Sequence, residues 1–172
     1  MVIETGGAGS NQYVRRVVTK LKPGRPDLLV MAASSVPQQP LQVRLVRAGD
    51  RSCRPGELVR LAGDRSARVR RLVAGNSLCP PDVLRRLAQD RSNRVRMAAA
   101  ENWACPAGVL QQLAVDPDDG VRFAVAGNLS VPPEALEVLV RDRDPATAEA
   151  AAANPGCPAY LRVLWQLAHD TT

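Results

Sequence analysis

From residue 43 onward the apolar positions fall into two alternating clusters that recur every 26 residues. The first holds Val83, Leu84, Leu87 and Ala88, with Arg85, Arg86 and Gln89 on the opposite side. The set returns as Val109, Leu110, Leu113 and Ala114, then as Ala135, Leu136, Leu139 and Val140. This spacing predicts one buried face of a helix. The second cluster occupies residues 68–75, 94–101, 120–127 and 146–153, with Val69, Leu72 and Val73 as its buried stripe. Ala74, Ala100, Ala126 and Ala152 share one position in it, which predicts close contact between helices of neighbouring copies.

Each copy is therefore read as two short helices. The first is announced by proline: Cys79 is placed at the N-cap and Pro80 at the first helical position, where its missing N–H leaves no bond unmade. Asp82 follows in the first turn, where negative charge suits the helix dipole. Gly75 and Gly127, each followed by Asn, predict left-handed termination of the second helix. The shortness of that helix predicts partial 3₁₀ geometry.

The copies start at Asp50, Asn76, Asn102, Asn128 and Asn154 without a slip in register. A fixed period of this length marks a solenoid. The expected fold is all-α, an α-solenoid over residues 41–172. Residues 1–40 stand outside the pattern and are expected to be a mobile tail. Within them, residues 26–33 repeat the pattern of residues 81–88, as a degenerate N-terminal cap helix would. The run SSVPQQP at 34–40 then breaks the chain. Near the other end Leu164, Leu167 and Asp170 fall two residues late, as expected of a C-terminal cap.

Val69-Arg70, Val73-Ala74, Asn76, Pro80-Pro81, Leu84, Leu87 and Asp90, with their equivalents in each copy, resemble the leucine-rich repeat variant family. Its pattern is VR..VA.N...P...L..L..D, and the resemblance covers about residues 43–170. It implies a right-handed superhelix of alternating α and 3₁₀ helices, akin to HEAT-type solenoids, and it implies no activity. Family members carry an N-terminal cysteine-rich iron–sulfur segment; residues 1–52 here contain no Cys, so no cluster and no other cofactor is expected. The family position before Pro is often Thr. Here it is Cys53, Cys79, Cys105, Val131 and Cys157, which are poorer caps, so these helices should rely more on packing.

Composition narrows the picture further. Aromatic residues make up only 3% of the chain, so the core must be thin layers of Leu, Val and Ala. Positive charge comes from 21 Arg and 2 Lys. Residues 43–116 carry net +7 and residues 117–172 net −4, an asymmetry that favours oriented association with a charged partner. No run approaches the ~18 apolar residues that span a bilayer. The apolar stretch 28–36 begins too late for a signal peptide. No membrane contact is expected, and a cytoplasmic location is.

No catalytic constellation stands out, so an enzyme is not expected. The four cysteines sit at equivalent repeat positions, where stacked helices hold them ~8–10 Å apart. A disulfide needs Cα atoms within ~7 Å, so buried apolar roles are expected and no metal site. Asn76, Asn102, Asn128 and Asn154 form a ladder read as structural. Arg44, Arg70, Arg96 and Arg122 form another, parallel to Asp64, Asp90, Asp116 and Asp142. That ladder admits two readings, internal pairing or a line of phosphate or carboxylate contacts. The candidate binding residues are Arg60, Arg70, Arg71, Arg85, Arg86, Arg94, Arg96 and Trp103. The leading expectation is a non-catalytic scaffold that binds an acidic protein partner through a basic extended surface. The alternative is duplex DNA held along the arginine-rich face. No small-molecule substrate is evident.

Overall fold

The computed structural model describes residues 39–169, within a compact unit spanning residues 39–172. The expected tail and cap helix of residues 1–40 lie almost wholly outside the described residues. Among those described there are ten helices and no strands. In chain order they are α1 (Leu41–Gly49), α2 (Pro55–Leu61), α3 (Ala67–Ala74), α4 (Pro81–Leu87), α5 (Asn93–Glu101), α6 (Ala107–Leu113), α7 (Asp119–Gly127), α8 (Pro133–Leu139), α9 (Pro145–Ala153) and α10 (Ala159–His169). The even-numbered helices form one layer and the odd-numbered helices the other.

Every copy is locked to the next by the same side chains. Leu58, Leu84, Leu110 and Leu136 are fully buried in the even layer. In the odd layer Val69, Val95 and Val121 are fully buried, and so are Ala48, Ala74, Ala100 and Ala126. With only a methyl group at this last position, successive odd helices approach closely, and they contact one another far more extensively than successive even helices do. A layer this thin has no room for large aromatics, in keeping with the composition.

The boundaries differ from the sequence expectation in three ways. First, the even helices start one residue later. Pro80 is extended (φ −62°, ψ 144°) and is the N-cap, because the following Pro81 disfavours a helical conformation before it. Cys79 thus precedes the cap. Second, Gly75 is right-handed (φ −80°, ψ −3°), and Gly127 is the last residue of α7. The chain leaves α5, α7 and α9 through extended Asn102, Asn128 and Asn154. Third, both helix types are α-helices. 3₁₀-type bonds occur at the helix ends, as from the Val83 N–H to the Pro80 carbonyl (2.9 Å) at a start and from the Asp90 N–H to the Leu87 carbonyl (3.1 Å) after a close.

The Asn ladder explains how the odd helices end without a left-handed glycine. Asn102 Nδ2 donates to the Ala74 carbonyl (2.7 Å) and the Asn76 carbonyl (3.0 Å), while its Oδ1 accepts from the Ala104 N–H (2.9 Å). Asn76, Asn128 and Asn154 repeat this arrangement. Each carboxamide uses both donors and its acceptor, satisfying the orphan carbonyl of the previous odd helix.

At α10 the register is unchanged, contrary to the two-residue delay read from the leucines. Leu161 (2% exposed) and half-buried Trp165 stand where Val83 and Leu87 stand in α4. Leu164 and Leu167 point outward and are exposed.

Candidate partner-binding surface

The arginine ladder is an internal structure. Arg70 grips Asp90 of the following copy with two bonds, Nε to Oδ2 at 2.6 Å and Nη2 to Oδ1 at 2.8 Å. Its Nη1 donates to the carbonyl of Asp64 in its own copy (2.8 Å). Arg96 does the same with Asp116 and the Asp90 carbonyl, and Arg122 with Asp142 and the Asp116 carbonyl. Arg44 pairs with Asp64 at 3.0 Å. These side chains are at most 15% exposed, and bidentate geometry makes the pairs strong. Each Asp also accepts the backbone N–H two residues on, as Asp90 does from Ser92 (2.9 Å). It shapes the turn but is not the N-cap. That position belongs to Ser66, Ser92, Asp118 and Asp144, of which only the two aspartates make side-chain cap bonds.

The electrostatics follow from this geometry. Burial pushes the Asp90 carboxyl up, but the Arg70 hydrogen bonds, the Ser92 N–H and the Arg70 charge outweigh it and hold the group below its ordinary range. The hydrogen bonds from Arg122 lower Asp142. Arg70, Arg96 and Arg122 are raised, chiefly by their carboxylate bonds.

Arg70 and Arg96 therefore leave the candidate surface, since burial and their Asp partners occupy the donors a ligand would need. The other candidates separate onto three faces. Arg60, Arg85 and Arg86 lie on the even layer, where Arg60 pairs with Glu57 (3.6 Å), Arg85 with Asp82, and Arg86 donates to the Val59 carbonyl (3.1 Å). Trp103 is 70% exposed at a loop edge, beside Leu129 (78%) of the next copy. Arg71 and Arg94 lie exposed on the odd layer.

Around Arg71 and Arg94 the structure gathers Arg65, Arg68 and Arg91, all exposed. None of these five takes part in an ion pair among the described residues. Arg68 and Arg71 are three residues apart on α3 and share a face; Arg94 repeats Arg68 on α5. The row that holds Arg71 runs from half-buried Leu45 of α1 through Arg71 to half-buried Met97, exposed Phe123 and exposed Glu149. Met97 and Phe123 were missed in the sequence because they interrupt no motif. Their shared register with Arg71 was the available signal. Beside Arg71 a shallow cleft of about 470 Å³ opens, walled by Gly49, Arg51, Leu72, Gly75, Ala98 and Glu101.

The four thiols are free and buried. Burial pushes Cys79 up to about 12 and Cys105 up to about 11, so they act as small apolar groups. Among the described residues no cluster of His, Cys, Asp and Glu is suited to a metal ion, and no helix is long and apolar enough to cross a membrane.

Fold and surface together define an all-helical repeat array with an arginine-rich lateral face. Comparison of the chain with protein-family models and with curated proteins returns no match.

Proposed function

We propose that the chain is a non-catalytic scaffold of the leucine-rich repeat variant type, right-handed and cytoplasmic, that binds an acidic protein segment on its odd-helix layer. The observation carrying this reading is the group Arg65, Arg68, Arg71, Arg91 and Arg94, exposed and without an ion pair among the described residues, next to Met97 and Phe123. Of the 14 arginines in residues 43–116, six are paired internally. Five of the remaining eight gather here. Unpaired cations steer an acidic partner, and an exposed aromatic beside them supplies an apolar anchor. An acidic segment carrying apolar side chains engages both; a phosphate backbone engages only the first.

A second reading, duplex DNA, has its own supporting observation. Arg65 with Arg68, and Arg91 with Arg94, recur one repeat apart with no carboxylate bound among the described residues, which suits successive phosphates.

Fluorescence anisotropy separates the two, using a labelled peptide of alternating Glu and Leu and a labelled random duplex at low and near-physiological salt. The scaffold reading expects peptide binding that survives physiological salt and weakens about 10-fold on Phe123→Ala. The DNA reading expects duplex binding that falls steeply with salt, is lost on Arg68→Ala with Arg94→Ala, and ignores Phe123→Ala. Binding of neither probe at low salt refutes a basic docking face.

A further inference from the structure

The outward face of α10 breaks with the rest of its layer. Tyr160, Val163, Leu164 and Leu167 occupy the positions held in α4 by Asp82, Arg85, Arg86 and Gln89. All four are exposed, at 56, 52, 55 and 65%. Their spacing of i, i+3, i+4 and i+7 gathers them into one stripe. Val138 of α8, half exposed, stands in the same row as Leu164 and widens the stripe toward the preceding copy. The Tyr160 hydroxyl donates to Glu137 on α8, which fixes the near end.

Packing within the array does not account for these residues. The side of α10 that meets the preceding copy is supplied by Leu161 and Trp165. The positions that α4 fills with buried Leu84 and Ala88 hold Arg162 and Gln166, both exposed. A stacking face has thus been made polar while an outward face has been made apolar. The stripe exposes roughly 400–500 Å² of side-chain surface, enough for the apolar centre of an interface of standard size.

We propose that this stripe is the contact of a homodimer, in which α10 packs antiparallel against α10 of a second copy across a twofold axis. A seam spaced i, i+3, i+4, i+7 is self-complementary when two identical helices run antiparallel. Val163 and Leu164 meet their own counterparts near the axis, and Tyr160 meets the far end of the opposing helix. Antiparallel packing also sets the two helix dipoles head to tail. The flanking charges balance, Glu134 and Glu137 against Arg141 and Arg162. A second copy therefore meets no net repulsion, and no excess of one sign selects a charged partner instead. Because the stripe faces outward, the twofold runs along the array and turns even layer toward even layer, where Arg60 and Arg85 are paired with Glu57 and Asp82, while the exposed arginines of the odd layer lie on the far side of each copy. The dimer does not depend on what the basic face binds. It would present that face twice and convert a weak single contact into a bivalent one.

The test is the mass of the full chain in solution, by sedimentation velocity and light scattering up to about 100 μM. A dimer of twice 18.5 kDa is expected. Leu164→Glu combined with Leu167→Glu is expected to raise the dissociation constant at least ~100-fold with an unchanged helical spectrum, since both side chains are exposed. Independently, Val163→Cys under mild oxidation should give a disulfide-linked dimer on a non-reducing gel. The unsubstituted chain, whose thiols are buried, should give none. An 18.5 kDa species at the highest concentration, a dimer that survives the double substitution, or no cross-link from Val163→Cys would each overturn the proposal.

Discussion

Asn102 offers the most direct test of how the copies are held together. Replacement by Ala strands two groups. The Ala74 carbonyl loses its 2.7 Å bond and the Ala104 N–H its 2.9 Å bond. The Asn76 carbonyl is spared, because it also accepts from the Cys79 N–H at 2.9 Å. A buried group left unpaired costs about 1–3 kcal/mol, and an N–H is less tolerant than a carbonyl. Asn102→Ala should therefore destabilise by about 2–4 kcal/mol. Asn102→Asp keeps an acceptor for the Ala104 N–H but turns an oxygen toward the carbonyls of Ala74 and Asn76. The introduced carboxyl is disfavoured as an anion there, so its folded-state pKa lies above its unfolded value of about 4. The unfolded chain then releases the proton first, and stability falls as pH rises through that value. At pH 7 the Asp variant should be less stable than the Ala variant, and near pH 4 the gap should narrow. Urea denaturation followed by circular dichroism at both pH values measures this. Hydrogen exchange in α3 and α5 should locate the loss. An Asp variant as stable as the Ala variant at pH 7, or a gap insensitive to pH, would refute the carboxamide's role as a donor to two carbonyls.

Four further outcomes are expected. Arg96→Ala and Asp116→Ala should each cost about 3–5 kcal/mol by leaving a buried charge unpaired, while the double substitution costs less than their sum in a double-mutant cycle. Acid titration should lower stability below about pH 4, because Asp90 and Asp142 have depressed folded-state pKa values whose contribution is present above the unfolded value and lost as pH falls. Alkaline titration should lower it as well: unfolded thiols ionise above about pH 8.5 while Cys79 and Cys105 stay protonated toward about 12 and 11, and replacing both by Ala should flatten the slope. Gly127→Ala should stabilise by about 0.4–1 kcal/mol in thermal melts, since the position meets nothing within 4 Å and needs no left-handed backbone.

The repeat unit was legible because every core position recurs. Val69, Leu84 and Ala74 could be assigned to a buried face from their register alone, and the structure buries all three. Helix ends were less legible. Gly75 before Asn76 carries the signature of a left-handed cap, yet the termination is performed by Asn76 reaching the carbonyls of Ala48 and Asp50, 28 and 26 residues away. A tertiary bond of that range leaves no local mark. The candidate surface was the least legible part. Arg60, Arg71 and Arg94 look alike in the sequence, and only the layer on which each falls decides which can act together. Phe123 carries no motif, and its row holds half-buried Met97 as well as exposed Arg71, so register places it on the odd layer without fixing its exposure. On α10 the sequence places Leu164 and Leu167 in the motif two residues late, because leucines at a helical spacing are usually buried, whereas the structure keeps the register and leaves both exposed.

The staples supply a rule for sorting the arginines that the sequence alone did not suggest. Arg44, Arg70, Arg96 and Arg122 each have an Asp 20 residues on, and each pairs with it. Among residues 39–169 no other Arg has an Asp at that distance. In the following copy both partners vanish together, since Ala148 takes the Arg position and Ala168 the Asp position. Joint loss is what the energetics require, because a buried guanidinium without its carboxylate is far costlier than an alanine. An arginine kept by the fold is therefore one whose partner is kept with it. Arg65, Arg68, Arg71, Arg91 and Arg94 have no such partner, and their removal leaves no buried charge behind. Substituting them should leave stability within about 0.5 kcal/mol of the parent, so any loss of binding they cause reports on the surface and not on the fold.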